Sequence, residues 1–143
     1  VKNSLHQVAT AFSTEKMYDA EDQNVIDTVS GVIRKIACDG NCIIVGRAAN
    51  IASKDIPRHL SIKLQAPLEW RTHRIMKISN MAYFEAQNYI QTIDNERDLF
   101  VEHIAGRKIE NSDFDIVFNY ATMIDDHIVD AIVNVAKNKK IIL

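Results

Sequence analysis

Ten residues, Asn41-Cys42-Ile43-Ile44-Val45-Gly46-Arg47-Ala48-Ala49-Asn50, restrict this chain more than any other stretch. The apolar run Cys42–Val45 is too short for a helix and stops abruptly at Gly46-Arg47. Continuous apolarity of that length predicts a strand, Asn41–Gly46, covered on both faces, as in the parallel sheets of α/β proteins. Ligands of such sheets bind beyond the carboxyl ends of the strands. An arginine there, behind a glycine that lets backbone or ligand approach closely, suits a phosphate or carboxylate. It suits a plain surface position equally.

The rest of the chain alternates helices with strands. Leu5, Val8, Ala9 and Phe12 have helical spacing. Val25, Ile26, Val29, Val32, Ile33 and Ile36 repeat at i, i+3, i+4, which predicts an amphipathic helix from about Ala20 to Cys38, ended by Asp39-Gly40. After the apolar run comes a short helical or irregular piece to Asp55, and Pro57 blocks further helix. Leu60, Ile62 and Leu64 alternate with Ser61, Lys63 and Gln65, so His59–Ala66 reads as a second strand. Pro67 is placed to open a helix through about Ile78. A longer helical pattern runs from about Tyr83 to Ile104, where Ala105-Gly106 closes it. Phe114–Phe118 predicts a third strand, and Ile124, Ile128, Ala131, Ile132 and Val135 form the stripe of a last helix. The tail Ile141-Ile142-Leu143 is a candidate final strand. This order predicts a single α/β domain over residues 1–143, with a three-layer, mainly parallel sheet flanked by helices.

Bulk properties exclude some classes. The 143 residues can bury roughly two-thirds of their unfolded surface as one domain. A formal net charge of −2 supplies no polybasic stripe for nucleic acid. Cys38 and Cys42 form no CxxC pair, and His6, His59, His73, His103 and His127 lack metal-ligand spacing, so no protein-bound metal is expected. No apolar run has membrane-spanning length and no signal peptide precedes the chain, so the expectation is a cytoplasmic protein without a membrane partner.

Candidate chemistry centres on arginines. Arg71 and Arg74 stand three residues apart on one face of the helix that follows the second strand. They suit a polyphosphate, or a solvated face pairing with Glu69 and other acids. In the long helix, Arg97 falls on the apolar stripe of Ala86, Ile90, Ile93, Phe100 and Ile104. A charge there must snorkel, pair or meet an anion. Asp94, one turn away, is its local partner; a phosphate is the alternative. Asp113, Asp115, Asp125 and Asp126 bracket the third strand, where turn and cap chemistry is the common use and assistance to magnesium the rarer one. Trp70, Tyr83, Phe84 and Tyr89 are packing residues or base-stacking surfaces. These residues contain no Gly-x-x-x-x-Gly-Lys-Ser/Thr motif, nucleophile elbow or zinc motif.

Four segments together resemble the cytidylate kinase-like family. They are Cys42–Asn50, the run Gln65-Ala66-Pro67-Leu68-Glu69-Trp70-Arg71-Thr72-His73-Arg74-Ile75-Met76, the segment Ile93-Asp94-Asn95-Glu96-Arg97, and Phe114-Asp115-Ile116-Val117-Phe118-Asn119. The resemblance runs over about Ala20 to Val135. It implies a nucleoside monophosphate kinase with a P-loop fold, in which ATP with Mg2+ donates a phosphoryl group to CMP, dCMP or a related nucleotide. It further implies that Arg47 contacts the acceptor, with Gly46 and Asp94 in the substrate-binding set. Arg71, Arg74 and Arg97 become the catalytic arginines of a helical lid over about residues 67–110 that closes on the phosphates. The family begins with a strand and a Gly-rich loop, which would lie upstream of Val1, so the residues given are expected to be the acceptor and lid portion and inactive alone. A catalytically inactive nucleotide-sensing or protein-interaction module of the same fold is the alternative. A sheet lacking its first strand leaves an exposed edge, so a homo-oligomer is a further expectation. Two departures mark this chain: Ile109-Glu110 replaces a Trp-Gly pair, and Tyr120-Ala121 replaces a Thr-Ser pair after Asn119.

Overall fold

A computed structural model describes residues 23–142. The helix expected around Leu5–Phe12 lies outside the described residues, as does Leu143. Helix α1 (Gln23–Asp39) buries Ile26 and Ile33 and ends at Gly40, and a single short turn, α2 (Ala49–Ala52), follows. Strand β1 (Ile62–Gln65) leads through Pro67 into α3 (Leu68–Ser79), and α4 (Tyr83–Ala105) folds back from it. A 3-10 turn at Asn111–Asp113 precedes β2 (Ile116–Asn119), and α5 (Asp125–Asn138) closes the order.

β1 and β2 pair in parallel, Ile62 with Ile116 through Gln65 with Asn119. The described residues thus form a mixed helix-and-strand fold around a small parallel sheet of two strands. The expected strand Asn41–Gly46 does not form among them. Its side chains stand open instead, Ile43 at 93% and Val45 at 57% exposure. The reason is physical: apolarity marks a segment that gains from burial, but a strand exists only through a neighbour's hydrogen-bond ladder. Among the described residues β1 and β2 pair only with each other. No C-terminal strand forms among them either. Lys140 turns into the left-handed region at φ 56°, and the N–H of Ile141 donates to the Ala136 carbonyl at 2.9 Å. The tail is used to cap α5, in the manner of a Schellman turn.

α3 and α4 pack along one another as a helical hairpin. Thr72 and Ala86 are both 0% exposed, small residues that let the two backbones approach closely. The Thr72 hydroxyl donates to the Leu68 carbonyl at 2.8 Å, so its burial leaves no polar atom unpaired. Gly106 stops α4 at φ 67°, a conformation that carries no steric cost in glycine. On the other side, Arg34 of α1 reaches both Asp55 carboxylate oxygens (2.5 and 2.9 Å) and the Ala52 carbonyl, which ties α1 to the segment after α2. α2 in turn packs on both α1 and α4.

The amino end of the sheet is latched by Asp115. Its Oδ2 accepts from the Ser61 backbone N–H (2.8 Å) and hydroxyl (2.9 Å), and its Oδ1 accepts from Lys139 Nζ at 3.0 Å. Partial burial opposes the charge, but the Ser61 donors and Lys139 outweigh it and pull the carboxyl down to about 2. A folded-state value below the unfolded one contributes stability that is full above about pH 4 and lost as pH falls toward about 2. Allowing for its exposure, the latch is worth about 1 kcal/mol. Asp115→Asn should lower urea stability by about that much near neutral pH. The gap between variant and wild type should close in the same titration repeated near the lower end of that range.

Candidate functional site

The carboxyl edge of the sheet collects the aromatic and cationic groups. Because β1 and β2 run parallel in register, the residues after Gln65 and those after Asn119 emerge side by side. The Tyr120 N–H donates to the Gln65 carbonyl at 2.8 Å, so Tyr120 extends the ladder by one step. α3 begins over the same edge, and Trp70 and Arg74 stand one helical turn apart on it.

These three residues form a corner. The Trp70 and Tyr120 rings meet edge to face at 5.7 Å, their planes 89° apart. The Arg74 guanidinium carbon lies 5.4 Å from the Trp70 ring centre and 5.5 Å from that of Tyr120. The Tyr120 hydroxyl donates to Asp125 Oδ1 at 2.6 Å, which raises the phenol's pKa, while the nearby Arg74 works weakly against that rise. Arg74 has no ion pair among the described residues and remains exposed. A guanidinium within cation–π distance of two rings and without a carboxylate partner is open to an anion.

Arg71 has a different employment. Its Nε donates to the Ala66 carbonyl at 3.1 Å and its Nη1 to Asp94 Oδ2 at 2.6 Å. One side chain thereby links the end of β1, the first turn of α3 and the middle of α4. Asp94 is taken by Arg71, so the expected local Asp94–Arg97 pair is not formed. Arg97 itself is exposed and makes no ion pair among the described residues. Its expected place on the core stripe is corrected: Phe100, three residues further along α4, is buried while Arg97 is exposed, because a long charged side chain on an apolar stripe carries its guanidinium out to water.

Arg47 does not cap a strand among the described residues. It sits in a turn of three consecutive left-handed residues, Gly46 (φ 75°), Arg47 (φ 55°) and Ala48 (φ 53°), directly before α2. Gly46 takes that conformation freely; for arginine and alanine it costs on the order of 1 kcal/mol each. Ala48 is buried and Arg47 exposed. Three residues beyond Arg47, the Asn50 Nδ2 is buried with no hydrogen-bond partner among the described residues, an orphaned donor.

The four acids have assigned partners or places. Asp113 pairs with Arg107, which holds its carboxyl well below the usual range, and also accepts the Glu110 N–H at 2.8 Å. Asp115 is the latch, Asp125 holds Tyr120, and Asp126 lies in the first turn of α5. Among the described residues no group of three His, Cys, Asp or Glu side chains suits a metal ion. No helix among them is long and apolar enough to cross a membrane.

Tyr120 and Asn50 carry more of the site than the sequence indicated. Tyr120 stood out only as a departure from the family's pattern. The usable signal was its position: in a parallel pair, residues just after the two strands share one edge. Nothing in the sequence marked Asn50, because an orphaned amide is a property of packing.

Helices on a parallel strand pair, with a cationic and aromatic carboxyl edge, define a mixed helix-and-strand domain. The sequence matches the model of the cytidylate kinase-like family over residues 2–122, and the chain belongs to that family. Membership supports a kinase-like function at the level of the family. Among solved structures, an uncharacterized protein from Eubacterium ventriosum ATCC 27560 is similar in fold, with a TM-score of 0.72 at 22% identity, covering 82% of this chain and 68% of that one. No curated protein matches the sequence.

Two experiments check this geometry. Arg47→Gly should raise stability by about 1 kcal/mol in urea unfolding by removing left-handed strain, although it deletes a side chain. A double-mutant cycle of Arg71→Ala and Asp94→Ala should give a coupling energy of about 1 kcal/mol, whereas the same cycle on Arg97 and Asp94 should give nearly zero.

Proposed function

We propose that this chain is the acceptor and lid portion of a nucleoside monophosphate kinase-like phosphotransferase, with a CMP-type acceptor and ATP as donor. The observation that carries the reading is Arg74, fixed in an aromatic corner at the carboxyl edge of the parallel sheet and free of any carboxylate among the described residues. Phosphoryl transfer asks little covalent chemistry of a protein. It asks for positioning and for positive charge where charge spreads over the transferring group. A guanidinium held in place and left without an acid answers that demand, because it need not break an ion pair to meet a phosphate.

In this reading Arg74 meets the phosphates, Arg47 and Gly46 meet the acceptor, and the Asn50 amide supplies a donor on the acceptor side. The strain at Arg47 supports its role, since a conformation that costs energy persists where the surroundings impose it, often at a site. Arg97 on exposed α4 joins the phosphates on lid closure, while Arg71 and Asp94 keep the lid helices aligned. The Mg2+ of such a reaction travels with the donor's phosphates, and no described residues are assigned to hold it.

The second reading, an inactive nucleotide-sensing module, gains from Arg71. One of the arginines implied for the phosphates is used as a structural tie, which leaves binding intact and removes charge from the transfer step.

A thermal-shift series with CMP, dCMP, UMP, AMP and ATP tests the proposal. CMP or dCMP at about one hundred times its dissociation constant should raise Tm by roughly 5–10 °C, following about 2.7 kcal/mol of linkage. Arg74→Met and Arg47→Ala should each reduce that rise at fixed ligand concentration. If no nucleotide moves Tm, the reading fails. No CDP is expected by chromatography from these residues with CMP, ATP and Mg2+, since no Gly-rich loop in this sequence holds the donor; turnover by them alone would overturn the acceptor-and-lid reading.

A further inference from the structure

We infer that Tyr120 is the positioning residue for Arg74, setting the guanidinium's orientation toward the phosphate of a nucleotide. The inference deepens the proposed function and rests on its placing a phosphate at Arg74. Three observations bear on it. The rings of Trp70 and Tyr120 are perpendicular, so together they restrain the guanidinium from two directions rather than one. Tyr120 is itself anchored twice, by its backbone N–H on the Gln65 carbonyl and by its hydroxyl on Asp125 Oδ1. Asp125 opens the first turn of α5, so the second anchor comes from a different element.

The physical consequence is preorganisation. A free arginine on an exposed helix face samples many rotamers and loses that freedom on binding an anion. Two rings within cation–π distance restrict those rotamers before the anion arrives, while no carboxylate among the described residues occupies the guanidinium. Trp70 and Arg74 move together because both are on α3. Tyr120 belongs to the sheet, so it fixes the angle of α3's cation relative to the strand ends, where the ligand of a parallel sheet sits. The phenol–carboxylate bond then has a task that a plain phenyl ring cannot perform.

Isothermal titration calorimetry of the full chain with pyrophosphate and with CMP tests this, with Trp70 fluorescence as a local reporter because it is the chain's single tryptophan. Tyr120→Ala should weaken both ligands about five-fold, and Tyr120→Phe about two- to three-fold, the scale of one exposed cation–π contact and its anchor. Asp125→Asn, which keeps an acceptor for the hydroxyl, should bind like wild type, whereas Asp125→Ala should match Tyr120→Phe. Tm in the absence of ligand should change little between Tyr120→Phe and wild type, which separates positioning from folding. If Arg74→Met abolishes pyrophosphate binding while the Tyr120 and Asp125 variants bind like wild type, the positioning role is overturned and the phosphate role of Arg74 stands. If Arg74→Met binds as tightly as wild type, or the wild-type chain binds neither ligand, the phosphate reading falls and the positioning role with it.

Discussion

Arg71 is the interaction on which the arrangement of the site depends. Its guanidinium joins the carbonyl of Ala66, at the end of β1, to the carboxylate of Asp94 in the middle of α4. The backbone carbonyl gives α3 a fixed start, and the carboxylate sets where along α4 the hairpin meets that start. Thr72 on α3 and Ala86 on α4 are both fully buried. With α3 so fixed, Trp70 and Arg74 fall over the strand ends. A half-buried, charge-assisted pair of this kind contributes modestly to stability, but its geometric consequence is large.

The same constraint divides labour between two arginines that look equivalent in the sequence. Arg71 and Arg74 share a helix face, yet one is neutralised by an acid and the other lies within cation–π distance of two aromatic rings. An ion pair cancels a guanidinium's charge toward a ligand, whereas contact with aromatic rings leaves the charge in place. That difference decides which of them is equipped to meet a phosphate. Asp94 is paired with Arg71, and in the proposed function the two together support the hairpin.

Much of this was legible in the residues. Pro67 before Leu68 and Gly106 after Ala105 marked helix ends because each has a backbone requirement that sequence displays directly. The alternation of Leu60, Ile62 and Leu64, and the run through Phe118, located both paired strands to within a few residues. Asn41–Gly46 was not decided by its own composition, since a strand requires a partner and partners are non-local. Arg97 misled for a different reason. Helical period places it on the stripe between Ile93 and Phe100, but a long charged side chain leaves such a stripe for solvent, while Phe100 beyond it stays buried. The corner at Arg74 needed two facts from separate places, the parallel register of β1 and β2 and the helical spacing of Trp70 and Arg74.

The claim at the centre is that Arg74, and not Arg71, meets the phosphate. Proton–nitrogen NMR of the arginine Nε–H groups during titration with CMP reads both side chains at once. The account predicts a saturable shift of the Arg74 resonance, lost in Arg74→Met, with the Arg71 resonance held in place by Ala66 and Asp94. A shift confined to Arg71, with Arg74 unmoved at saturation, would contradict it.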